Sequence, residues 1–367
     1  MALASVAVFV VSFVVSLAGL LVLERGLAAR LGLVDRPGGR KLHAAPTPLG
    51  GGLAIWLGAL APIAGGYALA LLSASSAAPA WVPDFVRVQA PLVVARSREL
   101  LALLAGGTAI VALGLADDRW DLSPRLRLAL QAVVAVGVFA AAPGLRITAF
   151  HASPFMWGVF TVVWIVGITN AFNFLDTMDG LSSGVALVAA GLLTAGALVT
   201  GQWFVALFLL AFAGAAAAFL TRNFPPARVF AGSAGAYLFG FVLAVSTTAF
   251  TFFGPGREPW AALAPLIVLS VPIYDTASVM LIRLHEGRPL WVGDRRHLSH
   301  RLEAMGMTRR EVVMAHYLLA FCAGCPALLL LDLGYKTTLV VAETLGVLAL
   351  MAIMELAGGR TRRGDGG

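Results

Sequence analysis

Apolar runs of about 20 residues, the length a helix needs to cross a bilayer, recur along this chain with only short polar breaks between them. In hydrocarbon every backbone N–H and C=O must be satisfied within the segment, so such runs fold as helices. They lie near 3–24, 49–72, 98–116, 126–142, 156–172, 181–199, 203–220, 231–252, 260–282, 312–331 and 337–356, about eleven spans by hydropathy. Only 12% of the residues are charged and 59% are hydrophobic, with a mean hydropathy of +0.88. A soluble domain carries about 25% charged residues. The expected fold is therefore an all-α, polytopic integral membrane bundle of about 10–11 transmembrane helices. It reads as one domain over 1–367, with a short basic tail at 357–367. The first run has no basic residue before it and no small-residue cleavage site after it, so it reads as a retained span. Residues 73–91 read as a low-complexity connection with a surface-lying piece, and no internal repeat suggests an inverted-repeat transporter. Cys322 and Cys325 lie in an apolar run and read as packing residues rather than a redox or zinc pair.

Basic residues set the orientation. Alternate loops and the tail hold Arg25 to Lys41, Arg119 to Arg127, Arg222 and Arg228, Arg283 to Arg310 and Arg360 to Arg363, against the much sparser Arg87, Arg96, Arg98, Arg146, Arg257 and Lys336. The positive-inside rule then puts the N-terminus outside and the C-terminus in the cytoplasm. The formal charge of +7 requires no nucleic acid, because anionic headgroups and phosphate substrates account for it.

With that orientation, every polar motif falls on the cytoplasmic side. They are DRPGGRKLHAAPTPLGGG (Asp35 to Gly52), LADDRWDLSPR (Leu115 to Arg125), NAFNFLDTMDG (Asn170 to Gly180), RVFAGSAG (Arg228 to Gly235) and GDRRHLSHRL (Gly293 to Leu302). Asn170, Asn173, Asp176 and Asp179 recur every third residue, a spacing that predicts one polar side of a helix end. Asp117 and Asp118 are expected to end a span, and two adjacent carboxylates call for a cation, whether a metal or an arginine. Hard oxygen ligands at a phosphate site suit Mg2+, with Mn2+ as the substitute. Lys41 and His43 suit a diphosphate or a lipid phosphate, and equally suit anchoring to inner-leaflet headgroups. His297 and His300, with Arg295, Arg296 and Arg301, predict a cationic phosphate-binding patch rather than a zinc site.

The order and content of these segments, from Asp35 to Leu302, resemble the polyprenyl-phosphate N-acetylhexosamine-1-phosphate transferases. The stretches PIYDT (Pro272 to Thr276) and GDRRHLSHRL are most similar to the UDP-N-acetylglucosamine:undecaprenyl-phosphate branch of that superfamily. The resemblance implies a helical bundle in the bacterial inner membrane with a cytoplasmic groove. There a UDP-N-acetylhexosamine and undecaprenyl phosphate react with Mg2+, releasing UMP, at the first membrane step of a cell-envelope polysaccharide. It implies that Asp117 and Asp118 stand beside the metal and the attacking phosphate, and that Asn173 and Asp176 contact the metal or the diphosphate. Asn170, Asp176, Asp179, Lys41 and His43 would bind substrate, Phe230 would stack on uracil, and Arg296, His297 and His300 would meet the sugar phosphate. A homodimer is left open.

Two positions depart from the pattern. Ser233 stands where the resemblance implies an aspartate that ligates Mg2+, and Ser299 stands where close relatives often carry histidine. The first raises a second expectation, a catalytically impaired polyprenyl-phosphate binder. A third, an ion-coupled transporter, is motivated only by Asp275 within a span.

Overall fold

The computed structural model describes residues 2–35, 46–74, 82, 84–147, 153–251, 259–289, 296–331, 339–349 and 351. Nine of its helices are long and apolar enough to cross a membrane, or ten if a bent pair counts as one span. In chain order the helices are α1 (Ala2–Val22), α2 (Gly51–Ala74), α3 (Asp84–Ala95), α4 (Ser97–Trp120), α5 (Pro124–Ala141) and α6 (Pro154–Leu175). They continue with α7 (Leu181–Val199), α8 (Trp203–Asn223), α9 (Gly232–Ala249), α10 (Ala264–Val268), α11 (Ser270–His285), α12 (Leu298–Ala304) and α13 (Arg309–Gly324). A shorter apolar helix, Leu339–Ala349, follows. The all-α expectation holds, apart from a two-residue antiparallel pairing of Val34–Asp35 with Thr47–Pro48.

Local chemistry explains several boundaries. Ser123 and Ser153 accept hydrogen bonds from Leu126 N–H and Met156 N–H, and each is followed by a proline at the first helical position. Thr308 and Glu311 form a reciprocal capping box at the start of α13. The expected single span over 260–282 is instead broken, with Ala261–Val268 and Ser270–His285 meeting at 65°. Pro272 has no N–H for the Val268 carbonyl, and its ring would clash with that carbonyl, so one helix cannot run through. The connection around 73–91 contains α3.

The central helix is α9, in which every residue from Ala234 to Thr248 is buried. Around it α4, α6, α7 and α8 supply most of the core. Successive long helices alternate in direction. The C-terminal ends of α4, α6, α8 and α11 therefore gather with the N-terminal ends of α2, α5, α7, α9 and α13, and hydrogen bonds between distant segments tie that end together.

Candidate active site

Asp118 lies in the last turn of α4, at the end of a span as expected. Its Oδ1 accepts the Ser233 N–H at 2.7 Å, its Oδ2 accepts the Ala234 N–H at 3.5 Å, and the Ser233 hydroxyl adds another hydrogen bond. A carboxylate is thus held by the N-terminus of α9, where unsatisfied N–H groups favour negative charge. Two glycines permit the approach. A Cβ on Gly232, at φ +65°, would stand 2.4 Å from Asp118 Oδ2, and one on Gly114 would stand 2.2 Å from Ala234 Cα. Ser233 is therefore beside Asp118, at the junction of α4 and α9.

Asp117 has a separate set of partners. Its Oδ2 accepts the Tyr237 hydroxyl at 2.8 Å and Arg127 Nη1 at 3.2 Å, while Oδ1 accepts the Leu122 N–H at 3.1 Å. The side chain is 3% exposed. Successive helical residues point about 100° apart, so the two aspartates expected to act as one unit are divided. Both Asp117 oxygens are engaged by the frame of the site.

The polar ladder after α6 also divides. The helix ends at Leu175, so Asp176 and Asp179 lie in the following turn rather than on a shared helical side. Asn170 donates to Gln131 Oε1 at 2.5 Å and to the Val166 carbonyl at 2.8 Å. Asn173 is half-buried, and its side chain makes no hydrogen bond among the described residues. Asp176 Oδ1 accepts the Ser182 hydroxyl at 2.5 Å, and Oδ2 has no partner among the described residues. Burial pushes the Asp176 carboxyl up to about 6; the Ser182 hydrogen bond opposes this, and the nearby charges of Asp118 and Asp179 add to it. Asp179 Oδ2 accepts the Ala227 N–H at 3.0 Å.

The turn is stitched to the loop between α8 and α9 by a residue the sequence did not single out. Buried Asn223 accepts from Gly180 N–H at 2.9 Å and from the Ser183 hydroxyl at 3.0 Å, and donates to the Val229 carbonyl at 3.0 Å. Tyr317 of α13 donates to the Gly180 carbonyl at 2.5 Å. Phe230 is half-buried, with its N–H on the Pro48 carbonyl at 2.9 Å and its carbonyl accepting Gly51 N–H at 3.1 Å. Phe230 is thereby anchored beside the segment that leads to Lys41 and His43, which themselves lie outside the described residues, as does Arg295.

The expected cationic patch is largely paired. Arg296 forms an ion pair with Glu286, His300 Nδ1 lies 3.6 Å from a Glu303 carboxylate oxygen, and Arg301 donates to Ser278 at 3.0 Å. His297 is turned inward, with Nδ1 2.7 Å from Asp275 Oδ2. The Ser299 hydroxyl meets the Thr177 hydroxyl at 2.7 Å, which fastens α12 to the turn after α6. No motif in the sequence singles out Arg127, Tyr237, Gln131, Asn223 or Tyr317 as part of the site. In the sequence Arg127 is one more loop charge, and nothing local marks a tyrosine or glutamine inside an apolar run as a partner of an aspartate or asparagine.

The assembled end of the bundle brings Asp118 and Asp179 within electrostatic reach of Asp176 and hydrogen-bonds Ser233 to Asp118, with Asn173 one turn before Asp176 on α6. Residues 100–251 match the family model for glycosyl transferase family 4. Over 333 residues the chain is 29% identical to the probable undecaprenyl-phosphate N-acetylglucosaminyl 1-phosphate transferase of Bacillus subtilis (strain 168), covering 88% of this chain and 84% of that protein. Over 324 residues it is 34% identical to the decaprenyl-phosphate N-acetylglucosaminephosphotransferase of Mycobacterium tuberculosis (strain ATCC 25618 / H37Rv), covering 80% and 74%. Over 316 residues it is 28% identical to the undecaprenyl-phosphate alpha-N-acetylglucosaminyl 1-phosphate transferase of Yersinia pestis, covering 82% and 77%. With motifs, helical bundle and relatives in agreement, the chain belongs to glycosyl transferase family 4, in the branch whose relatives are named as polyprenyl-phosphate N-acetylglucosamine-1-phosphate transferases.

Proposed function

We propose that this protein transfers an N-acetylhexosamine-1-phosphate from a UDP-sugar to undecaprenyl phosphate or a related polyprenyl phosphate. The observation that carries the reading is the pair Asp118 and Asp176, two carboxylates from different helix ends close enough to repel each other. Beside them stand an amide without a partner, Asn173, and a carboxylate oxygen without one, Asp176 Oδ2, among the described residues. Such a set lacks positive charge and offers hard oxygen donors.

That donor set fits Mg2+, which takes one or two carboxylates and fills its remaining positions with phosphate oxygens and water. Asp118, Asp176 and Asn173 would hold it, and Asp117 would not, since its carboxylate is already paired with the Arg127 guanidinium whereas Asp118 has only neutral donors. When bound, the metal would offset the charge of the diphosphate. The lipid phosphate, with a second pKa near about 6, is mostly a dianion at neutral pH and needs little help from a base. Its oxygen attacks the β-phosphorus, the bond to the α-phosphate oxygen breaks, and UMP leaves with that electron pair. The residues contribute chiefly position and charge. Asp117 holds Arg127 at the same end of the bundle, Asp179 and Asn223 fix the turn that carries Asp176, and Phe230 supplies a ring for uracil.

A second reading, a polyprenyl-phosphate binder with impaired catalysis, is favoured by one observation. Ser233 sits directly against Asp118 and brings a neutral hydroxyl where the resemblance implies a carboxylate. The charge asymmetry of the loops supports a site on the cytoplasmic side of a bacterial inner membrane. Incubating the purified protein with undecaprenyl phosphate, Mg2+ and UDP-N-acetylglucosamine or UDP-N-acetylgalactosamine, and measuring UMP, separates the readings. Release that depends on both substrates supports transfer. Binding of UDP-sugar with no UMP at any Mg2+ concentration supports the impaired binder.

A further inference from the structure

We infer that Asp275 is a positioning residue, whose buried carboxylate fixes the ring of His297 so that Nε2 is offered to a phosphate oxygen of the sugar nucleotide. The identity of the ligand rests on the transfer reading above; the pairing of the two residues does not.

Asp275 lies inside α11 and is 1% exposed. A carboxylate in such a place persists only where its oxygens are partnered. Oδ1 accepts the N–H of Leu298, the first residue of α12, at 2.7 Å. Oδ2 meets His297 Nδ1 at 2.7 Å. An ionised carboxylate only accepts, so Nδ1 carries the hydrogen and the ring orientation is set. Nε2 has no hydrogen-bond partner among the described residues. Capping α12 alone would need one acceptor, which asparagine or serine supplies. The second oxygen, on imidazole, is what requires an aspartate.

The pair also stands in the right place. The His297 ring lies 6.3 Å from that of Phe174, the residue after Asn173, and Arg283 stands over the other ring at 5.8 Å. Ser299 is bonded to Thr177, the residue after Asp176. Buried His316 of α13 lies within electrostatic reach of Asp275, with its own Nδ1 2.7 Å from the Val312 carbonyl oxygen. The His297 ring thus bridges the bent span and the helix end that carries the proposed donors. With a carboxylate on one side and a phosphate on the other, a ring that donates from both nitrogens satisfies both. This also replaces the transporter reading of Asp275, whose oxygens are occupied by partners from its own fold.

The test is a double-mutant cycle with Asp275→Asn and His297→Gln, read as UMP release and as UDP-sugar affinity by calorimetry, with thermal unfolding as the control. In Asp275→Asn, an Oδ1 that stays on Leu298 leaves a neutral amide N–H facing Nδ1, so the ring can no longer donate from both nitrogens, and the cation facing the phosphate and the fixed ring orientation are lost together. We expect kcat/KM to fall about 10- to 100-fold, the scale for removing a group that orients a ligating histidine. The double variant should be no worse than His297→Gln alone, because both act through one ring. Additive losses, or an Asp275→Asn enzyme that behaves as wild type, would overturn the inference. An independent readout is the 15N spectrum of histidine-labelled wild type, with the His297 signal assigned by its loss in His297→Gln. A ring protonated at Nδ1 is expected, and one protonated only at Nε2 overturns the inference even if Asp275→Asn does not fold. If wild type releases no UMP, the transfer reading fails while the spectrum still decides the pair.

Discussion

Asp118 and Asp117 are neighbours along the chain with different neighbours in space, and their variants should fail in different ways. Asp118→Asn keeps the shape of the side chain and removes a charge next to the proposed metal and phosphates. Turnover should drop at least about a hundredfold with thermal stability little changed. Asp117→Asn should instead lower stability by about 1.5–3 kcal/mol, the scale of hydrogen bonds lost by a charged partner, here Arg127. Thermal unfolding and UMP assays on both variants check this, and equal stability with equal activity loss would show the two to be one unit after all. Asp176 yields a pH prediction. Its folded pKa, about 6, lies above the ordinary 3.8, so the fold favours the protonated form. That preference is fully present below about pH 4 and is lost as pH rises through about 6, so above that the ionised group burdens the ligand-free fold. Asp176→Asn should therefore melt a few degrees higher than wild type near about pH 8 and show no advantage near about pH 4. Added Mg2+ should close the gap at the higher pH, because the dication favours the carboxylate. At Ser233, restoring a carboxylate with Ser233→Asp places a second negative charge against Asp118. The Mg2+ concentration for half-maximal UMP release should fall several-fold, and an inactive wild type should gain release. A folded variant with unchanged Mg2+ dependence would show that position 233 does not face the metal.

Helix contacts decide whether these residues meet. The α4–α9 junction is backbone against backbone, so Gly114→Ala would drive a methyl into Ala234. The helices must part, at about 1–3 kcal/mol, and the Asp118–Ser233 hydrogen bond should weaken with them. Gly137→Ala on α5 is the control, since a Cβ there meets nothing within 4 Å. It should be neutral or stabilising by up to about 1 kcal/mol through helix propensity. Melting curves and activity on the pair distinguish a packed junction from a general glycine effect. The helices themselves were legible in the sequence, because about 20 apolar residues in hydrocarbon have one way to satisfy their backbone. The break at Leu269 was less so. It follows from Pro272, but an apolar run with an early proline reads as one span until a neighbour shows where the chain turns.

At the scale of the whole molecule, the loop charges predict an orientation. A C-terminal fluorescent reporter should light up in intact bacteria and a C-terminal alkaline phosphatase should stay inactive, with the reverse at a fusion in the loop after Ala141. The opposite pattern would invert the proposed topology and put the site on the wrong side for a nucleotide substrate. The sequence by itself determined a helical membrane protein, because hydropathy and run length are local properties of the chain. It also determined which segments carry polar chemistry, because charges in an apolar chain are few and conspicuous. Only the tertiary structure decided what each polar group does. Asp118 bonds to Ser233 across 115 positions and Asp117 to Tyr237 across 120, distances over which no spacing rule operates. The same holds for His297, which a sequence shows as a cation near a membrane surface and the fold turns inward onto Asp275. The physical reason is that a buried polar atom takes its role from its partner, and partners are supplied by packing, which brings together helix ends that the chain keeps far apart.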